Sequence, residues 1–168
     1  MSIKSWDEKG NIQWSDEMKT GIARIDEQHK TLIGIINRLQ KAMDEKVDST
    51  GISLIFGQLA SYTKFHFKAE ELVIERVDKK SFEAHHLSHM AFVNDLRGYE
   101  KKFRSGDHSV VKKLLNYLNV WLVDHILDED KKSLSKKTSL YSFEKSDSGD
   151  EWMSDWEWVF SELEKKSK

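Results

Sequence analysis

FEAHHLSHMAFVNDLRGYEKKF, residues 82–103, carries the plainest periodicity in this chain. Phe82, His85, His89, Phe92, Leu96, Tyr99 and Phe103 follow one another at alternating steps of three and four. That rhythm is the seam of a helix packed in a bundle. Two histidines occupy seam positions where the pattern calls for apolar residues. Their neighbour His86 falls roughly 100° around the helix, so periodicity separates it from the pair.

The same rhythm predicts three more helices. One covers roughly 22–45, with Ile22, Ile25, Leu32, Ile33, Ile36, Leu39 and Met43 on its apolar stripe and His29 within it. A second covers roughly 52–76 and contains His66-Phe67-Lys68-Ala69-Glu70-Glu71. His66 and Glu70, four apart, share the face that also carries Leu59, Tyr62 and Val73. Alone, such a pair reads as a buried hydrogen bond. The last helix, roughly 109–129, has Leu114, Leu118, Trp121, Leu122 and His125 on one face. Residues 45–51 read as a loop and 76–81 as a polar turn with Ser81 as N-cap. Gly106 suits a C-terminal cap, and Asp107 the N-cap that follows it. Residues 1 to about 20 form an irregular arm expected to pack Trp6 and Trp14 across a helix pair.

Short connections make the helices an antiparallel up-down-up-down four-helix bundle, an all-α fold. Residues equidistant from a turn then lie at one height. The midpoint between His29 and His66/Glu70 falls near 48–49, and that between His66/Glu70 and His85/His89 near 77–78. The midpoint between His85/His89 and His125 falls near 106. All three lie in predicted turns, so five histidines and a glutamate meet in one dry layer. Buried polar groups must find partners, and structural histidines are usually solitary; a metal is the expected partner.

Composition narrows which metal. The 168 residues include no cysteine and no proline. Thiolate zinc sites, disulfides and cysteine-ligated iron–sulfur clusters are excluded, so His, Asp and Glu must be the donors. Imidazole-rich sites with carboxylates suit iron, zinc or copper, and seven donors fit two ions better than one. A net charge of -2 gives no footprint for nucleic acid. No apolar run approaches the ~20 residues of a membrane span, and the N-terminus lacks a signal-peptide core; a cytoplasmic protein is expected.

The seventh donor stays open on geometry. After His125 come Asp128 and Glu129, three and four residues on and sharing its face, then Asp130, roughly 140° around. Helical counting favours Glu129; Asp130 reaches the layer only if the helix widens, as in a π-type turn.

The motifs together resemble the hemerythrins, in particular single-domain bacterial hemerythrins. The matching stretches are Asp26-Glu27-Gln28-His29-Lys30, His66 to Glu71, His85-His86-Leu87-Ser88-His89 with Phe92, and Trp121-Leu122-Val123-Asp124-His125 with Asp130. Trp14 lies upstream, and the likeness covers roughly 12–131. The resemblance implies two non-haem iron ions with an oxo or hydroxo bridge that bind O2 reversibly. It implies His85, His89 and His125 on one iron, His29 and His66 on the other, and Glu70 and Asp130 across both. It thereby selects Asp130 over Glu129. Ile74 stands where the family usually has Met, and Asp78-Lys79-Lys80 replaces a common Tyr-Pro turn; neither touches an implied ligand.

Carboxylate-rich di-iron oxidases use four carboxylates and two histidines, whereas five neutral imidazoles with two carboxylates favour the ferrous pair. A binding protein rather than an enzyme is therefore expected, for oxygen carriage, storage or delivery. An oxygen or redox sensing module read by a partner, and a weak di-iron peroxidase or oxidase, are the alternatives. His86, His108, Glu71, Asp124 and Glu129 are assigned no metal role.

The bundle is expected to occupy residues 1–131. Residues 132–168 read as a Lys/Ser/Asp-rich linker followed by a short amphipathic helix. Trp152, Trp156, Val159, Phe160 and Leu163 form its apolar face. Folding back on the bundle and docking a partner or second subunit are its two readings.

Overall fold

The four apolar stripes become four long helices: α1 (Ala23–Asp44), α2 (Ser49–Val77), α3 (Lys79–Arg104) and α4 (Val110–Asp124). The computed structural model describes residues 5–134, and the predicted Trp-rich helix lies outside them. α1 packs on α2 and α4, and α3 on α2 and α4, closing the ring of a four-helix bundle. Among the described residues no helix is long and apolar enough to cross a membrane.

The connections are tighter than the sequence suggests. α1 ends in a Schellman turn: Val47 N–H donates to Ala42 O and Lys46 N–H to Met43 O. Lys46 takes a left-handed φ of 54°, where glycine is usual. Asp48 then caps α2 by accepting from Gly51 N–H at 2.8 Å, so the helix starts at Ser49 rather than 52. Asp78 alone separates α2 from α3. Ser81, expected as the cap, lies inside α3 and donates its hydroxyl to Asp78 Oδ2 at 2.6 Å. α3 closes in a second Schellman turn, with Gly106 at φ 99° and Asp107 N–H on Lys102 O. Ser109, not Asp107, is the residue flanking the start of α4.

The N-terminal arm is held by aliphatic side chains more than by its tryptophans. Ile12 and Met18 are fully buried against the helices, whereas Trp6 is 37 % exposed. Trp14 is half-buried, with the Lys30 ammonium 5.3 Å above its ring. Asn37 fixes the arm by bonding both Ile12 N–H and Ile12 O.

Buried apolar residues fall into two clusters. The larger joins Leu32, Ile36, Leu39, Phe56, Leu59, Phe103, Leu114 and Leu118. The smaller joins Ile22, Ile25, Phe65, Ala69, Val73, Ile74, Val77 and Leu134. Leu134 corrects the linker boundary. Residues Lys131–Leu134 continue as a helical turn with Ser133 and Leu134 buried, because an apolar side chain there completes the smaller cluster.

Candidate metal centre

α1 brings His29 into the bundle, α2 brings His66 and Glu70, and α3 brings His85 and His89. His125 and Asp130 come from the turn that follows α4. All seven are buried, at 3 % exposure or less. Each occupies a position where its helix would otherwise present an aliphatic side chain to the core, so the fold carries a polar layer across its interior.

The turn after α4 is π-helical over His125–Asp130. A π turn bonds each residue to the fifth one on, which lays Asp130 over His125 instead of well around the helix. Asp130 Oδ1 lies 3.0 Å from His125 Nε2 and 2.8 Å from His85 Nε2, and Oδ2 lies 3.1 Å from His29 Nε2. Regular helical counting would have chosen Glu129. That residue stays half-exposed at the rim, 3.3 Å from His125 Nδ1, and accepts from the Ser88 hydroxyl.

Glu70 sits between the two sides of the layer. Its Oε1 is 3.5 Å from His29 Nε2, and its Oε2 is 3.3 Å from His89 Nε2 and 3.8 Å from His66 Nε2. Two groups of donors result. Glu70, His85, His89, His125 and Asp130 form one; His29, His66 and Glu70 form the other. Within each group the donor atoms lie inside 4.8 Å of one another.

The protein leaves this donor set unsatisfied. Both Glu70 oxygens, both His29 nitrogens and Asp130 Oδ2 are buried without a well-formed hydrogen bond. Burying carboxylates and imidazoles on such terms is costly unless a cation completes them. His89 Nε2 and His125 Nε2 face each other at 2.9 Å, while their Nδ1 atoms face outward to Glu71 and Glu129. If both N–H protons are used outward, two lone pairs meet, and only a positive charge relieves them. Five imidazoles and two carboxylates without thiolates suit a borderline metal such as iron or zinc. The residues present fit a metal pair.

Proton affinities show the same demand for positive charge. Burial works against a proton on His29, but the Asp130 and Glu70 carboxylates facing its Nε2 outweigh it and raise the group to about 9. Burial is likewise outweighed at His125, chiefly by the Asp130 carboxylate, which raises it to about 10. His66 goes the other way: burial pushes it down to about 3 despite the Glu70 charge. It is a neutral imidazole. Burial and the neighbouring Asp130 would raise Glu70, but the surrounding imidazoles hold its carboxyl below the usual range.

Hydrogen bonds outside the layer aim the rings. Gln28 Oε1 lies 2.9 Å from His66 Nδ1, and Glu71 Oε1 lies 2.8 Å from His89 Nδ1. Protons on the Nδ1 atoms leave both Nε2 lone pairs facing inward. Glu71 Oε2 also contacts His86 Nδ1 at 3.1 Å, which places His86 outside the layer. His108 stacks on Phe103 at the far end. Gln28 and Asp26 escaped the sequence reading as residues with a task. Asp26 accepts from Thr20 N–H and Thr20 Oγ, both at 2.8 Å, and so fixes the chain's entry into α1. A signal existed: both are polar residues within four of His29 on a predicted core-lining helix.

Aromatic rings wall one side. Phe67 stacks on His89 at 3.8 Å and 3°, and Trp121 stacks on His125 at 4.3 Å and 13°.

The family described as the hemerythrin HHE cation binding domain matches residues 20–136. A bacteriohemerythrin of Pseudomonas aeruginosa is 32% identical over 120 residues, covering 71% of this chain and 77% of that protein. A bacteriohemerythrin of Clostridium acetobutylicum is 27% identical over 124 residues, covering 70% and 95%. A hemerythrin-like protein of Naegleria gruberi is 29% identical over 121 residues, covering 72% and 89%. With the motif-bearing residues gathered in one layer of a four-helix bundle, this chain belongs to the hemerythrin family.

Proposed function

We propose that the chain binds O2 reversibly at a pair of non-haem iron ions and serves in oxygen carriage, storage or delivery. In this reading His85, His89 and His125 hold one iron and His29 and His66 the other, with Glu70 and Asp130 spanning both. The observation that carries it is Asp130, whose two oxygens reach toward opposite sides of the layer. Glu70 supports it by belonging to both donor groups.

When bound, the iron pair supplies the electrons that take up O2. The chain's own residues supply the rest. Gln28 and Glu71 hold His66 and His89 in the tautomers that present Nε2. Phe67 and Trp121 cover the three-histidine side and exclude water from it. Two carboxylates for five imidazoles keep the anionic donor charge low, which favours the ferrous pair over high-valent iron and binding over oxidation.

Elemental analysis of the purified protein, paired with absorption spectra under nitrogen and under O2, tests the reading. Two irons per chain and a visible band that comes and goes with O2 are expected. One zinc per chain, or irreversible bleaching, would overturn it.

A further inference from the structure

Two grooves on the outside of the bundle reach a histidine of the polar layer. One runs along α4, holds about 530 Å³ and is lined by Val120, Trp121, Asp124, His125, Asp128 and Glu129. The other lies between α2 and α3, holds about 550 Å³ and reaches His89. Their charges are opposite. The α4 groove has three carboxylates and, among the described residues, no Lys or Arg in its lining. The α2–α3 groove is edged by Lys64, Lys68 and Arg97, and its acid, Glu71, is already committed to His89 and His86. A cleft lined by charges of one sign concentrates ions of the other. A divalent cation approaching the layer is drawn to the first groove and repelled by the second.

The ring at the inner end of the α4 groove faces both ways. His125 Nε2 points into the layer, 2.9 Å from His89 Nε2 and 3.0 Å from Asp130 Oδ1. Its Nδ1 lies on the groove side, 3.3 Å from Glu129 Oε2. That nitrogen is buried without a well-formed hydrogen bond, on a side chain only 2 % exposed. An imidazole nitrogen and a carboxylate this close can share a metal ion. Asp124 and Asp128 stand farther out, exposed at the rim and outside both donor groups. Asp128 is neutralised only by Lys132 Nζ at 3.5 Å, a contact open to water and therefore weak. The backbone here is also the place to open. His125 and Asp130 share the π-helical turn, a local widening that can loosen without unravelling α4. One such opening offers an incoming cation a histidine and a carboxylate of the layer together.

We infer that the divalent metal of the layer enters through the α4 groove, drawn in by Asp124 and Asp128 and met first by Glu129 and His125 Nδ1. The inference rests on the metal-pair reading of the layer and adds the route by which the layer is filled.

The rate of loading tests it. Metal-free full-length chain is mixed anaerobically with a ferrous salt at low ionic strength, a strong chelator stops uptake at set times, and the iron retained per chain is counted. D124N/D128N removes two rim charges at constant size. It is expected to load on the order of tenfold more slowly and to reach the same final iron content. Added salt should slow the unaltered chain and leave D124N/D128N nearly unaffected. D44N/E45Q makes the same change of net charge at exposed positions beside the α1–α2 turn, and should load at the unaltered rate. An unaltered rate in D124N/D128N, or equal slowing by D44N/E45Q, would overturn the inference. So would a lower final iron content in D124N/D128N, which would make the rim carboxylates ligands, or faster loading of K64Q/K68Q, which would place the route at His89. The same series with Zn2+ keeps the two readings apart. A chain that fills with zinc and refuses iron sinks the proposed function, while a delay confined to D124N/D128N still supports the route.

Discussion

The two halves of the bundle interior are built on opposite terms. Toward the α1–α2 turn, Phe56, Leu59, Leu114 and Leu118 are each 1 % exposed or less and belong to the larger apolar cluster. Each stabilises the fold by leaving water, in any solution. Beyond them, His29, His66, Glu70, His85, His89, His125 and Asp130 are buried just as deeply. These side chains lose hydration and recover only part of it from the protein, because several of their donor and acceptor atoms go unpaired. The apolar half is a folding device; the polar half is held in place by it. The candidate metal centre sits where the sequence accepts a local cost, and the surrounding helices are long enough to bear it.

The sharpest way to break the comparison is to alter one residue in each half. Glu70→Gln keeps the size of the side chain but removes the charge shared by the two donor groups. Helical circular dichroism should be unchanged while iron per chain, measured after desalting, falls to half or less. If the variant retains its full iron, Glu70 is not a ligand to both ions. Leu118→Ala should do the reverse. It is expected to cost about 2–5 kcal/mol in denaturant unfolding, by the same amount with and without iron. An effect on iron content with no loss of stability would show the halves to be coupled.

pH separates the halves more gently. In the metal-free chain His29 is raised to about 9 and His125 to about 10 by the carboxylates beside them. A raised histidine stabilises the fold fully below its unfolded value of ~6.5, and that stabilisation is lost as pH climbs through the folded value. Glu70 and Asp130 are lowered, so their contribution is present above ~4 and lost on acidification. The denaturation midpoint of the metal-free chain should therefore fall between pH 7 and pH 10. In the iron-loaded chain the nitrogens are already engaged and the fall should be smaller. Equal slopes would mean that the layer does not govern the alkaline loss.

The smallest expected effect lies outside both halves. Lys46 holds a left-handed φ in the position a Schellman turn usually gives to glycine. Lys46→Gly should stabilise the protein by about 0.5–1 kcal/mol, read as a higher denaturation midpoint with iron content unchanged. A loss of stability would show that the lysine side chain contributes more than its backbone strain costs.

Helical periodicity made the four helices and the inward histidines legible, since a 3.6-residue repeat states which side chains share a face whatever the partner. Counting from turns then brought the histidines to one level, because an antiparallel hairpin ties height to distance from its turn. Periodicity could not rank Asp130 above Glu129. Resemblance to a family did, and the π-helical turn over His125–Asp130 is the physical reason that Asp130 reaches the layer. Nor could spacing show that Gln28 faces His66, or that Leu134 fills the smaller cluster, since both contacts join residues far apart in the chain. The sequence by itself determined the bundle and which faces turn inward, through local stereochemistry and hydrophobic pattern. Only the tertiary structure decided which oxygen meets which nitrogen, because that depends on a widened helical turn and on packing between helices, which no local pattern encodes.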